Sequence, residues 1–317
     1  MGFDNQVRIL DAIIDYLAPQ IGRLLKTIPP PHLDGLEEIR LRVGQPLLLN
    51  MGQQEYALSR QGALVKELRQ AYRVQADDLY KTILSISDNS LYAFEEEIRR
   101  GYITIPGGHR VGLAGQVVME NEQIKTVKDF SSLSFRIARQ MKGCSQPLLE
   151  HIYRRQPCPL STLIISAPRC GKTTLLRDLA RNIADGSPAG PACTVSVIDE
   201  RSELAGSYRG KAQMDVGCRT DVLDGCPKAL GMMMAIRALG PQVIVTDEIG
   251  RQEDMEALLE CSNAGVAVIA SLHARDLEEA RRRPLIRQLL ETGVFQTMIT
   301  LSRRRGPGTL EEIVRWD

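Results

Sequence analysis

The fold is decided by the stretch Leu163-Ile164-Ile165-Ser166-Ala167-Pro168-Arg169-Cys170-Gly171-Lys172-Thr173-Thr174. It opens with an apolar strand pattern and runs into a predicted helix at about residues 173–185. Between the two lies a near match to the phosphate-binding pattern G-x-x-x-x-G-K-[ST]. Such a loop binds phosphate oxygens with backbone N–H groups at the start of a helix. The stretch therefore predicts a strand, a phosphate loop and a helix, in that order.

The side chains of this loop predict contacts with ATP and Mg²⁺. Gly171 lets the backbone approach a phosphate, Lys172 neutralises the β- and γ-phosphates, and the Thr173 hydroxyl ligates Mg²⁺. Ser166 stands where the pattern has its first glycine, so the pattern alone is weak and the strand-loop-helix context strengthens it. The predicted nucleotide-binding residues are Ser166, Ala167, Pro168, Arg169, Cys170, Gly171, Lys172, Thr173 and Thr174.

A pair of acids follows a second apolar strand, 243–246, roughly 75 residues after the phosphate loop. At that strand end, Asp247 is predicted to hold Mg²⁺ through water, and Glu248 to orient and deprotonate the attacking water. Acid pairs after core strands are common on protein surfaces. Their position after a phosphate loop, in alternating strand and helix sequence, favours the catalytic interpretation here.

Two more strand ends carry polar groups, and their interpretation is open. Asp199 and Glu200 end one strand, where they can serve water activation or contact Mg²⁺ indirectly, or form a solvated loop. His273 follows another strand and can sense the γ-phosphate or link neighbouring strands; a lone histidine there is more often structural. Glu200 and His273 are thus candidate catalytic residues beside Glu248 and Lys172.

The whole chain predicts two domains. Residues 1–142 mix helical and strand patterns, which indicates a smaller α+β domain, and residues 143–160 read as a linker with Gly and Pro. Residues 161–317 alternate apolar strands with helices, which predicts an α/β fold of the RecA-like P-loop type with a mostly parallel sheet. The predicted strands there are 162–166, 194–199, 243–247, 266–271 and 297–301, and the helices are 173–185, 228–239 and 252–263.

Composition excludes several other classes. The formal net charge of the 317 residues is +1, so no nucleic-acid partner is expected. The seven cysteines are scattered without CxxC spacing, which indicates neither zinc nor disulfides and fits the cytoplasm. No apolar stretch approaches the roughly 18 residues of a membrane span.

The run 303–305 consists of three arginines. It is most simply a solvated loop, and contact with phosphate or an acidic partner is the alternative.

The second domain resembles the AAA-like ATPases of type II and type IV secretion systems. Asp199-Glu200 resembles their aspartate box, residues 237–251 their Walker B segment and residues 265–274 their histidine box. Across both domains, the chain is more closely similar to the stage III sporulation protein AA family. The segments that carry this resemblance are 38–42, 107–115, 131–139, 171–178 and 198–205.

The resemblance implies a function that the residues alone do not. It implies an ATPase in the mother cell of endospore-forming bacteria that powers or assembles a secretion-like channel to the forespore. Membrane channel proteins of the sporulation apparatus would then be partners and would hold the chain at the membrane. It also implies a homo-hexameric ring in which N-terminal-domain arginines reach the nucleotide. Arg110 and Arg136 are the candidates, and exposed strand arginines are the alternative interpretation of each.

Two other functions stay open at this point. One is a nucleic-acid-stimulated P-loop ATPase, such as a helicase loader or RecA-like translocase, against which the near-neutral charge speaks. The other is a nucleotide-gated scaffold that binds ATP and barely hydrolyses it, for which the Ser166 departure leaves room.

Overall fold

A computed structural model of the protein describes residues 12–33, 35–52 and 54–316. The chain divides into two compact units, Met1–Ala138 and Arg139–Asp317. Within the described ranges, each unit contains one seven-stranded sheet. The two units therefore have separate cores, and each is described by itself.

The first unit is built on an antiparallel sheet in the order β4-β3-β2-β1-β7-β6-β5. Its inward residues, such as Ile39 and Leu41 of β1, alternate with partly exposed arginines, as a half-buried strand requires. Among the residues of this unit that the structure describes, three short 3₁₀ helices accompany the main elements. In chain order these elements are α1 (Pro19–Lys26), β1 (Leu36–Arg42), β2 (Leu48–Met51), β3 (Gln54–Leu58), β4 (Leu64–Val65), α2 (Ala76–Ile86), α3 (Glu95–Arg100), β5 (Tyr102–Ile105), β6 (His109–Glu120) and β7 (Gln123–Arg136).

The long hairpin β6–β7 differs from the pattern in the sequence. The pattern predicts two short strands at 110–114 and 116–119 and a third at 134–138, but the chain forms two long strands. Their pairing shifts register between Ala114 and Gln116. A side chain at Gly115 would come within 2.5 Å of the Lys128 carbonyl oxygen, so this glycine bends the strand without ending it.

The second unit is built on the order β10-β9-β11-β12-β8-β13-β14. Its strands are parallel except for β14, which runs antiparallel to β13. In chain order its elements are α4 (Gln146–Tyr153), β8 (Thr162–Ser166), α5 (Lys172–Asp185), β9 (Val195–Asp199), β10 (Thr220–Asp224), α6 (Lys228–Ala238), β11 (Val243–Thr246), α7 (Gln252–Asn263), β12 (Ala267–His273), α8 (Leu277–Arg281), α9 (Pro284–Glu291), β13 (Thr297–Ser302) and β14 (Thr309–Arg315).

The predicted α/β class is confirmed by this architecture. The central strands β8, β9 and β11 are buried along their whole length, because helices and their apolar side chains cover both faces of the sheet. Every strand and helix predicted in 161–317 is present within two residues. The edge strands β10 and β14 were not predicted, because both are polar and partly exposed and lack an apolar run.

The segment 143–160 contains α4, which belongs to the core of the second unit. Leu148, Leu149, Ile152 and Tyr153 are buried against the helix α5 side of the sheet. The proposed boundaries of the domains stay a prediction. Among the described residues, no helix has both the length and the apolar character that crossing a membrane requires.

Candidate active site

The phosphate loop connects β8 to α5 at the carboxyl edge of the parallel sheet. Ser166 is the last residue of β8, and α5 begins at Lys172. Two loop residues have left-handed backbone, Arg169 with φ 60° and Gly171 with φ 88°. Glycine adopts this conformation without steric cost, whereas arginine does so with strain. The loop therefore turns sharply and places the amino end of α5 at the sheet edge.

Lys172 is buried at the first position of α5. Its ammonium nitrogen donates to the Ser166 carbonyl at 2.9 Å, to the Ser166 Oγ at 3.0 Å and to the Ala167 carbonyl at 3.1 Å. Burial lowers the pKa of Lys172, and the nearby Glu248 opposes that shift. Ser166, which replaces the first glycine of the pattern, thus supplies two of the oxygens that hold the lysine.

His273 connects this lysine to Glu248. Its Nδ1 lies 2.8 Å from the Lys172 Nζ, and its Nε2 lies 3.2 Å from the Glu248 Oε1. An ammonium can only donate, so Nδ1 accepts, and Nε2 carries the proton that faces the carboxylate. Burial and the charge of Lys172 lower the pKa of His273, which favours this neutral form. The structure therefore brings three predicted catalytic residues together, with Lys172 hydrogen-bonded to His273 and His273 within ion-pair distance of Glu248.

Glu248 is held by its backbone as well as by its side chain. It has left-handed backbone with φ 44°, and its N–H donates to the Ser271 Oγ at 3.0 Å. The next N–H, of Ile249, donates to the Ser271 carbonyl at 2.8 Å. Its carboxylate also forms an ion pair with Arg201. These contacts link the end of β11 to β12 and fix where the carboxylate lies.

Asp247 is buried beside Glu248, and its environment differs. Its Oδ1 has no hydrogen-bond partner among the described residues. Burial raises the pKa of Asp247 to about 7, the negative charge of Asp199 adds to the shift, and Lys228 opposes it. A buried carboxylate oxygen without a donor is costly unless a cation or water completes it. This oxygen therefore fits a Mg²⁺ ligand, together with the partly exposed Thr173 at the first turn of α5.

In the other acid pair, Asp199-Glu200, both side chains contact groups of the protein itself. Asp199 is fully buried, and its carboxylate accepts N–H groups from Glu203 at 2.8 Å, Leu204 at 3.0 Å and Ala205 at 2.8 Å. Glu200 forms an ion pair with the buried Lys228. Asp199 thus stabilises the loop that follows β9, and Glu200 is paired with Lys228.

Arg110 and Arg136 belong to the first unit. They are directly paired across the strands β6 and β7. The Arg110 guanidinium lies over the Tyr102 ring, 3.8 Å from its centre. The structure therefore brings these two predicted arginines together on the surface of one sheet, where Arg136 is exposed.

Three residues of the site were missed in the sequence. They are Arg201, which pairs with Glu248, Ser271, which accepts the Glu248 N–H, and Lys228, which pairs with Glu200. Arg201 directly follows Asp199-Glu200, and this position was the available signal. Ser271 lies in the segment 265–274 that resembles a histidine box, but its role was not predicted. Lys228 had no signal, because its partner is distant in the chain.

Comparison with known sequences identifies the family. The sequence profile described as "Sporulation stage III, protein AA" matches residues 8–316. The chain belongs to this family. Stage III sporulation protein AA of Bacillus subtilis (strain 168) is 42% identical over 305 residues, which are 96% of this chain and 94% of that protein. The resemblance drawn from the sequence segments is therefore confirmed.

Solved structures share the fold of this family member. The ATPase DotB of Legionella pneumophila aligns with a TM-score of 0.59 at 17% identity, covering 90% of this chain and 76% of DotB. The pilus retraction motor PilT, solved with bound ADP, aligns with a TM-score of 0.52 at 18% identity, covering 84% of this chain and 74% of PilT. The fold is thus shared with the ATPase DotB and the pilus retraction motor PilT, and the predicted P-loop type of fold is confirmed.

Proposed function

We propose that this chain binds ATP with Mg²⁺ and hydrolyses the β–γ phosphate bond. The observation that carries the proposal is the chain of contacts from Lys172 through His273 to Glu248 at the mouth of the phosphate loop. It joins a phosphate-binding cation to a carboxylate, and a nucleotide-hydrolysing site needs both within a few ångströms. Membership of the family and the fold shared with DotB and PilT support the same conclusion.

Each residue has a role in this proposal. The backbone of 166–174 surrounds the phosphates, and Lys172 exchanges its oxygen partners for the β- and γ-phosphates. Thr173 and Asp247 hold Mg²⁺, which supplies positive charge against the phosphate oxygens when bound. Glu248 accepts the proton of water as the water oxygen bonds to the γ-phosphorus and the bond to the bridging oxygen breaks. His273 links the γ-phosphate end to Glu248, and Glu200 is the second candidate for the base.

We further propose that this activity energises or assembles a secretion-like channel between mother cell and forespore. The family assignment supports a role in sporulation, and the resemblance of segments 199–200, 237–251 and 265–274 to secretion ATPases supports an assembly of the secretion type. In this proposal the chain is a homo-hexamer in the mother cell cytoplasm, held at the membrane by channel proteins. Arg110 and Arg136, paired on the first unit's sheet, reach the nucleotide from the same or a neighbouring subunit.

The test of hydrolysis uses the purified full chain with Mg²⁺ and ATP. Replacement Lys172→Ala is expected to lower phosphate release at least about a hundredfold, because it removes the charge that stabilises the transferred phosphoryl group. The matched control is Lys211→Ala, at an exposed lysine in a turn of the same unit, which should retain full turnover. Excess EDTA should also stop the reaction.

Two results would contradict the proposal. Equal phosphate release by wild type and Lys172→Ala would place any activity elsewhere or in a contaminant. Tight binding of ATP without turnover by wild type would favour the nucleotide-gated scaffold instead.

A further inference from the structure

The connection between β13 and β14 carries three arginines, Arg303-Arg304-Arg305, followed by Gly306-Pro307-Gly308; we call residues 303–308 the arginine loop. Strand β13 pairs in parallel with β8, so that Leu301 lies opposite Ser166. The arginine loop therefore leaves the sheet at the same edge as the phosphate loop, one strand away.

The two loops are in direct contact. The Gly308 N–H donates to the Cys170 carbonyl at 2.8 Å. A side chain at Gly171 would lie 3.3 Å from the Gly308 nitrogen and 3.6 Å from Pro307, so the arginine loop packs against the phosphate loop at its tightest turn. Any ligand held by residues 166–174 is bordered by the arginine loop on this side.

The strand order indicates which end of a nucleotide this border faces. In the order β11-β12-β8-β13, Glu248 and His273 lie on one side of β8 and the arginine loop lies on the other. If the γ-phosphate lies toward Lys172 and Glu248, as the proposed function requires, the α-phosphate and nucleoside extend away from them. That direction leads toward the arginine loop. This orientation of the bound nucleotide is the one step that rests on the proposed function.

The three arginines differ in what they contact. The Arg304 guanidinium is bound to Glu311, with nitrogen-to-oxygen distances of 3.0 and 3.2 Å. Arg303 and Arg305 are exposed, and within the described part of the chain neither guanidinium has an ion pair. The positive charges of Arg303 and Arg305 are thus available to an anion beside the phosphate loop. The charge of Arg304 is paired with Glu311 of β14.

The backbone of the arginine loop is held in place by its own hydrogen bonds. The Gly306 N–H donates to the Arg303 carbonyl at 3.0 Å, and the Arg305 N–H donates to the Thr309 Oγ1 at 3.1 Å. The same Thr309 hydroxyl donates to the Gly306 carbonyl at 2.7 Å. An ordered loop loses less conformational entropy on binding a ligand than a flexible loop does, which favours a role in ligand recognition.

We propose that the arginine loop is the nucleoside-side wall of the nucleotide site, and that Arg303 and Arg305 bind the α-phosphate of a nucleoside di- or triphosphate. Each guanidinium presents planar N–H donors that match phosphate oxygens. Charge for the β- and γ-phosphates comes from Lys172 on the other side. The assignment gives the arginine run a function that its sequence alone leaves as a solvated loop.

The experiment measures MgADP affinity by calorimetry on the full chain. The double variant Arg303→Gln/Arg305→Gln is expected to bind MgADP about tenfold more weakly, because two charge-assisted contacts are lost. The control is Arg304→Gln, which removes one charge from the same loop and is compared with Arg303→Gln and Arg305→Gln taken singly; it should keep the affinity within about twofold, as a surface ion pair contributes little. Equal melting temperatures of all variants exclude a folding effect.

The outcomes separate this inference from the proposed function. If wild type binds MgADP and the double variant binds it equally well, the wall assignment is wrong and the proposed function stands. If wild type binds neither ADP nor ATP, the proposed function fails and the inference fails with it. An equal loss in Arg304→Gln would show a general charge effect and would also overturn the assignment.

A second readout locates the nucleoside directly. Photolabelling with 8-azido-ADP, followed by cleavage after glutamate, is expected to place the label on the peptide 292–311, which contains the arginine loop. Labelling found only in other peptides would place the base elsewhere and contradict the wall assignment.

Discussion

Two acid pairs in this protein look alike in sequence and differ in the folded chain. Asp199-Glu200 follows β9 and Asp247-Glu248 follows β11, and each pair stands at the end of a buried strand of the same parallel sheet. Asp199 is surrounded by three backbone N–H donors, whereas the Oδ1 of Asp247 has none among the described residues.

The cause of this difference is the segment that follows each strand. After β9, the backbone at 203–205 folds back over the strand end, and its N–H groups donate to the Asp199 carboxylate. After β11, the backbone turns at Glu248 with φ 44° and is bound to Ser271 of the neighbouring strand, so it does not cover Asp247. A strand-end acid is thus structural where its own loop returns to it, and available to a ligand where the loop is drawn away.

The largest expected effect is on stability, with the same substitution at the two aspartates. Asp199→Asn should lower the free energy of unfolding by about 3 kcal/mol, because an NH₂ group replaces an oxygen that faces N–H donors in a fully buried place. Asp247→Asn should cause no loss at neutral pH, because it removes a buried carboxylate whose Oδ1 has no donor in the described part of the chain. The single tryptophan, Trp316, packs partly buried against the second unit's core, so its fluorescence can follow urea unfolding.

This contrast fails if the two variants lose equal stability. Equal losses would mean that Asp247 has donors comparable to those of Asp199, and its assignment as a Mg²⁺ ligand would then lose its structural basis.

The next effect is on turnover, with the same substitution at the two glutamates. Glu248→Gln should lower ATP hydrolysis at least about a hundredfold, since it removes the group proposed to accept the water proton. Glu200→Gln should lower it less than about fivefold, because the Glu200 carboxylate is committed to Lys228. Both variants should still bind MgADP, which serves as the folding control. Undiminished turnover of Glu248→Gln would transfer the role of base to Glu200.

The sequence predicted the strands and the position of both acid pairs, but it did not predict that Asp199 is structural and Asp247 is available to a ligand. Apolar runs ending in acids predicted the strands, their parallel arrangement and the edge where Lys172, Glu248 and His273 meet. The distinction between Asp199 and Asp247 depends on where the backbone at 203–205 lies, and no local pattern encodes that return. The partners Lys228 and Ser271 were missed for the same reason, because they are brought to the site by other strands and helices.

The smallest expected effect is the pH dependence of the stability of Asp247→Asn relative to wild type. Its pKa is about 7 in the folded chain, against an ordinary value of 3.8. A raised pKa means that the folded state binds the proton more tightly than the unfolded state, so the folded chain loses stability as pH rises toward 7. Asp247→Asn has no such proton to lose. Its stability relative to wild type should therefore increase by about 2 kcal/mol between pH 5 and pH 7 and level off above pH 7.5.

The measurement is urea unfolding of both proteins in EDTA across this pH range. The matched control is Asp221→Asn, at an exposed acid on the edge strand β10, whose stability should differ from wild type by less than about 0.5 kcal/mol throughout. Mg²⁺ with ADP should stabilise wild type more than Asp247→Asn, because only the wild-type carboxylate can hold the cation. A constant difference between Asp247→Asn and wild type from pH 5 to 8 would mean that the Asp247 carboxylate is well solvated. It would then resemble an ordinary surface acid more than either a structural or a metal-binding one.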